Sequence, residues 1–168
     1  LSIVAGAIIV EYTVRMSNQT ETQQMSTWEG LLRTVGWLLK TFERELQEAE
    51  GLPLPWFDVL IQLSAAPGGR LRMQALADSV VLSRSGLTRL IDRMEKANMV
   101  RREAAEGDRR GYFAVITAQG ERVFSRAHAI HERQIEQYFD RHLSERDRKA
   151  VSGAINKVRR GNGLSSAD

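Results

Sequence analysis

The feature that most restricts this chain is the shortness of the link between two helical stretches. Apolar spacing places one helix over about Met73 to Val80, with Leu76 and Ala77 inward, and a second over about Ser83 to Ala97. Only Val81 and Leu82 lie between them. Helices joined so tightly must meet at a steep angle, which is helix-turn-helix geometry. In the second helix Leu87, Leu90, Ile91 and Met94 repeat on one face. Ser85, Arg89, Asp92 and Lys96 fall on the opposite face, with Arg84 and Thr88 flanking.

The segments on either side extend this unit. Met99 to Ala104 and Gly111 to Ile116 read as two strands, and Glu106-Gly107-Asp108-Arg109-Arg110 reads as a charged hairpin tip between them. Two strands and a basic tip after a helix-turn-helix make a wing. Arg70-Leu71-Arg72 is too short for a helix and reads as a small strand, set off by the breaker Pro67-Gly68-Gly69. Before that breaker, a helix runs from about Pro55 to Ser64, burying Trp56, Phe57, Val59, Leu60 and Leu63.

Long helices flank the unit. The first starts at Ser26, a cap with Glu29 three residues on, and carries Trp28, Leu31, Leu32, Val35, Leu38, Leu39, Phe42 and Leu46 at helical spacing. Gly51, Pro53 and Pro55 stop it. So long an apolar stripe needs a partner. After the wing, a helix is expected from about Thr117 to Leu143, and Ser144 with Asp147 starts a last one that ends near Arg160. The fold class is therefore mainly α with a small β-wing: a winged helix-turn-helix lobe (residues 55–116) plus helices (26–52 and 117–160). These belong to one unit over residues 26–160, with an N-terminal extension (1–25) and a frayed tail (161–168).

Composition narrows the function. Apolar residues at 42% and charged residues at 27% are ordinary for a folded domain and exclude a disordered chain. With no Cys, disulfides, thiolate metal sites and thiol redox switches are excluded. The apolar run Leu1 to Val10 is shorter than the roughly 20 residues a bilayer span needs, so no membrane partner is expected. It reads either as sequence upstream of a natural start at Met16 or Met25, or as an extra apolar element packed at a dimer interface. Residues 70–110 hold ten bases and six acids, a local +4 against +3 for the whole chain. Phosphate binding requires such an excess, although a solvated charged face would show it too.

The recognition of duplex DNA calls for small polar residues and a few long donors near a helix N-terminus, because the major groove is only roughly 12 Å wide. Ser83, Arg84, Ser85, Thr88 and Arg89 fit that need. Arg109 and Arg110 supply a cationic tip for the minor groove. Asp108 can pair with one of them and hold the tip in shape. No phosphate loop or nucleophile elbow occurs. His128 and His131 lie three apart with Glu132 beside them, but no further ligand cluster accompanies them. No catalytic residue, metal or cofactor is expected.

These residues carry a resemblance. Leu76-Ala77 through Leu82-Ser83-Arg84-Ser85-Gly86-Leu87-Thr88-Arg89-Leu90-Ile91-Asp92-Arg93-Met94, then Met99-Val100-Arg101-Arg102, then Asp108-Arg109-Arg110 to Ile116-Thr117-Ala118-Gln119-Gly120, resembles the MarR family of regulators. The shared signature is Asp108-x-Arg110, a strand ending Ile116-Thr117, and Gly120 three residues on. Ile116 stands where Leu is usual, and Ala114 where Val is common. The resemblance implies a homodimer in which the first, fifth and sixth helices interlock. Its two lobes would read adjacent major grooves of a palindromic operator. It also implies an effector pocket for a small aromatic acid, lined here by Trp37, Trp56 and His131; ordinary core packing is the competing role for all three. The expected protein is a cytoplasmic, nucleoid-associated DNA-binding regulator, a repressor relieved by a small ligand. The alternative is a winged-helix module that contacts protein and not DNA.

Overall fold

The computed structural model describes residues 26–80, 83–105 and 108–163, with the backbone alone at residues 84 and 108–110. The expectations for the N-terminal extension, the Val81-Leu82 link, the Glu106-Gly107 tip and the end of the tail lie outside the described residues.

The elements follow the expected order. Helices α1 (Thr27–Glu50) and α2 (Leu54–Ala65) precede a 3-10 turn (Pro67–Gly69), strand β1 (Arg70–Arg72) and helices α3 (Met73–Ser79) and α4 (Arg84–Lys96). Strands β2 (Val100–Ala105) and β3 (Asp108–Ile116) form the hairpin, followed by α5 (Ala118–Tyr138), a second 3-10 turn (Asp140–His142) and α6 (Glu145–Gly161). The small sheet is antiparallel in the order β1-β3-β2.

Local chemistry sets the helix ends. Ser26 Oγ accepts from the Glu29 amide at 3.2 Å, but the Glu29 carboxylate turns to Arg33 at 3.1 Å, so only one arm of the expected capping box forms. At α6 both arms form, between Ser144 and Asp147. Those hydrogen bonds from the Ser144 side chain and amide hold the Asp147 carboxyl below its ordinary range. Gly51 ends α1 in the left-handed region with φ 61°.

Two expectations need correction. Helix α5 stops at Tyr138, not Leu143, because Phe139 leaves helical angles and the chain tightens into the second 3-10 turn. Arg148 holds that turn by donating to the carbonyls of Leu143 (2.8 Å) and Asp140 (3.3 Å). Asp108, Arg109 and Arg110 lie in β3 and not in the hairpin tip, since Ala105 already pairs with Asp108. Gly107 and a run of charge suggested a loop over all five residues, whereas the strand is already formed at Asp108.

The described residues fall into two compact units, one reaching Ile130 and one from His131. The first holds the core, gathered from the end of α1 (Leu46), α2 (Phe57, Val59, Leu60, Leu63), α3 (Leu76), α4 (Leu87, Ile91, Met94), the hairpin (Val100, Ala114, Ile116) and the start of α5 (Val123, Ala127). The second holds the end of α5, the 3-10 turn and α6.

Within the first unit, one backbone carbonyl ties four elements together. Helix α4 ends in a Schellman turn: Asn98 adopts φ 54°, its amide reaches the Glu95 carbonyl at 2.8 Å, and the Met99 amide reaches Met94 at 2.9 Å. The Met99 carbonyl then accepts from both the amide and the hydroxyl of Thr117, each at 3.1 Å. Thr117 Oγ in turn accepts from the Gly120 amide at 3.0 Å and so caps α5. A Cβ at position 120 would lie 2.1 Å from the Met99 oxygen, so only glycine lets α5 approach this closely. Gly120→Ala should therefore lower stability by about 2 kcal/mol or more, the cost of forcing a packed backbone apart. Urea unfolding of the two proteins checks this, and equal midpoints would contradict it.

Candidate nucleic-acid interface

Helix α4 presents two unlike faces because its apolar residues recur every three to four positions. Leu87, Leu90, Ile91 and Met94 are buried, which fixes the roll of the helix on the core. That roll leaves Ser85, Thr88 and Arg89 exposed, with Arg93 and Lys96 farther along. Ser83 is the N-cap: its backbone is extended and its Oγ accepts from the Gly86 amide at 3.1 Å, with Ser85 Oγ at 3.3 Å. A Cβ on Gly86 would sit 3.1 Å from the same Oγ, so a small residue here keeps the cap in place. An N-terminus with exposed short side chains and its amide end outward suits a phosphate or a base edge. The side chain of Arg84 lies outside the described residues.

Arg102, read from sequence only as part of the basic excess, has a different place. Its side chain reaches from β2 to α4, donating to Asp92 at 2.7 Å, to Glu95, and to the Thr88 carbonyl at 3.2 Å. Its own amide donates to Glu95 at 2.7 Å. Asp92, placed by periodicity on the outer face, is thus half-buried under Arg102. A second ion pair set lies on the sheet. Glu103 accepts from Arg101 and from Arg70 (3.6 Å), while the guanidiniums of Arg70 and Arg72 sit 4.2 and 5.1 Å from the Phe113 ring centre. The basic surplus of residues 70–110 is therefore uneven. Arg70, Arg101 and Arg102 answer acids of the same lobe, while Arg89 stands exposed on α4. Sequence reading missed Arg102, Asp92 and Glu95 as a group, because contacts across seven or more residues between a helix and a strand have no local spacing signal.

In the wing, the pairing of β2 with β3 steps from Ala104–Tyr112 to Ala105–Asp108. Three β3 residues, Arg109, Arg110 and Gly111, thus bulge out of register. The side chains of Asp108, Arg109 and Arg110 lie outside the described residues.

The residues expected at an effector pocket are dispersed in environment. Trp37 is 55% exposed on α1, and Trp56 packs partly buried against the core. His131 is half-buried, with Nδ1 3.4 Å from the side-chain Oε1 of Gln134. A stack not anticipated from sequence runs from Phe57 to Phe124 (6.0 Å between ring centres) and on to His128 (5.2 Å).

Comparisons with known proteins agree with this geometry. Residues 50–111 match the sequence model described as MarR family. The transcriptional regulator HosA of Escherichia coli O157:H7 is 30% identical over 111 residues, covering 66% of this chain and 80% of that protein. Among solved structures, AbsC, a MarR family transcriptional regulator from Streptomyces coelicolor, is 31% identical with a TM-score of 0.76, covering 86% of this chain and all of that one. Sco3205, a MarR family regulator of the same organism solved in complex with DNA, is 28% identical with a TM-score of 0.75, covering 88% and 94%.

The cap on α4 is directly testable. Ser83→Ala should cost about 1 kcal/mol of stability, and Ser83→Gly only a few tenths. Thermal melting of both variants checks the order; an alanine variant as stable as the parent would show that the cap carries no weight.

Proposed function

Because this chain belongs to the MarR family of winged-helix transcriptional regulators, and is a DNA-binding regulator and not an enzyme, we propose that it represses transcription by inserting α4 into the major groove of an operator, and that a small aromatic ligand releases it. The observation that carries the reading is the exposure of Ser85, Thr88 and Arg89 on a helix whose opposite face is locked into the core. Arg89 and Arg84 are the base-reading donors, Ser83, Ser85 and Thr88 line the groove, and Arg109 and Arg110 follow the backbone into the flanking minor groove, with Asp108 steadying them. The complex described for Sco3205 supports duplex DNA as the partner.

A palindromic operator matches a twofold protein. Two apolar faces favour a homodimer. On α1, Trp28 (62%), Leu31 and Trp37 are exposed, and on α6, Val151, Ile155 (50%) and Val158 (64%) recur along one side at helical spacing. Surfaces of this kind are shed from water by association. Ile155→Glu should turn a dimer into a monomer in sedimentation equilibrium; an unchanged dimer mass would exclude α6 from the interface. For the ligand, the partly buried ring of Phe124, stacked between the buried Phe57 and the His128 ring, supplies flat surface that suits an aromatic acid. Trp37 and Trp56 remain proposed lining. Retention on an operator duplex, measured with and without hydroxylated benzoic acids, tests the release.

For the DNA reading, Arg89→Ala should cost roughly 1–3 kcal/mol on a selected duplex and far less on a scrambled one. Equal losses on both would reassign Arg89 to a phosphate. Arg110→Ala should flatten the salt dependence by about 0.9 in slope for each lost phosphate contact; an unaltered slope would remove the wing from the interface.

A further inference from the structure

We infer that Arg102 is a positioning residue for DNA reading, and that Asp92 and Glu95 on α4 promote specific binding although they carry negative charge. This rests on the proposed role of α4 and adds a device that sets its aim.

The three acceptors of the Arg102 side chain are the Thr88 carbonyl, Asp92 and Glu95. They stand at i, i+4 and i+7, on one side of α4 over two turns. The guanidinium is planar with donors in a fixed fork, so binding all three sets both the rotation and the tilt of the helix relative to β2. The Arg102 side chain is only 23% exposed and those of Glu95 and Asp92 30% and 48%, which strengthens the pairs over fully solvated ones. The Glu95 carboxylate also takes the Arg102 amide at 2.7 Å, so it grips side chain and main chain of the same residue. The wing and the reading helix are thereby held as one piece. The position next to Arg102 on one side is Arg101 and on the other Glu103, which pair with each other, so the strand has no spare cation to replace it.

Simple electrostatics and this clamp predict opposite signs. If Asp92 and Glu95 only repelled phosphate, neutralising them would tighten binding to every duplex. If they hold Arg102, neutralising them loosens the aim of α4 and weakens binding to the correct sequence. The same logic separates the roles of Arg102: a phosphate contact needs only charge, which lysine keeps, whereas one ammonium cannot span three acceptors two turns apart.

The experiment uses the full chain and two probes: a duplex enriched by the parent protein from a random-sequence pool, and a scrambled duplex of equal length. Affinities are taken over a salt series and corrected for the active fraction by stoichiometric titration. Asp92→Asn, Glu95→Gln, Arg102→Lys and Arg102→Ala are each expected to lose about tenfold on the selected duplex and less than about twofold on the scrambled one. Their salt slopes should match the parent's, since no phosphate contact is removed. Tighter binding by Glu95→Gln or Asp92→Asn, or full affinity in Arg102→Lys, would overturn the proposal. So would a slope lowered by about 0.9 in Arg102→Ala. A general folding defect would lower both affinities together and would equally count against it. Arg89→Ala run beside them keeps the two readings apart: if it too leaves the selected duplex unaffected, the assignment of α4 to the groove fails; if it loses affinity while the clamp variants do not, only the clamp fails.

Discussion

The lobe depends most on the crowded meeting at the Met99 carbonyl. Four elements converge there: the end of α4, the start of β2, the end of β3 and the first turn of α5. Hydrogen bonds from Thr117 fix the distance, and Gly120 removes the only atom that would prevent it. With that crossing made, the hairpin has one root and α4 has one exit. The core residues Leu87, Ile91 and Met94 then determine how the helix is rolled. The presentation of Ser85, Thr88 and Arg89 follows from the packing behind them together with the Arg102 clamp from β2.

Much of this was legible in the order of residues. The breakers at Gly51 and Pro67 and the caps at Ser26 and Ser144 each state a local rule with a local cause, and each appears in the structure. The turn after α4 was less visible. Asn98 adopts a left-handed conformation that glycine usually supplies, and nothing in its neighbours announces it. The wing was misjudged by three residues because charge and glycine also occur in strands near an edge. The end of α5 was overshot because the residue that ends it, Phe139, has no breaker character; its turn is secured by Arg148 from the following helix.

The candidate site was legible in a narrower sense. Small polar residues before Leu87 and an arginine two positions after it identify an exposed, donor-rich helix start. Charge counting could not tell which arginines face outward. Arg70, Arg101 and Arg102 raise the local total as much as Arg89 does, yet each lies against an acid of its own lobe. Pairing of that kind is a tertiary property, since Arg102 and Asp92 meet only after α4 has folded back along β2.

The carboxylate of Glu95 has a second consequence, for solubility. Strand β2 lies at the margin of the sheet, and the Arg102 amide points away from β3. A margin with a bare amide is a template on which another chain can lay down a strand. Glu95 occupies that amide from within the molecule. The same side chain that steadies a helix thus guards the sheet against growing into its neighbours.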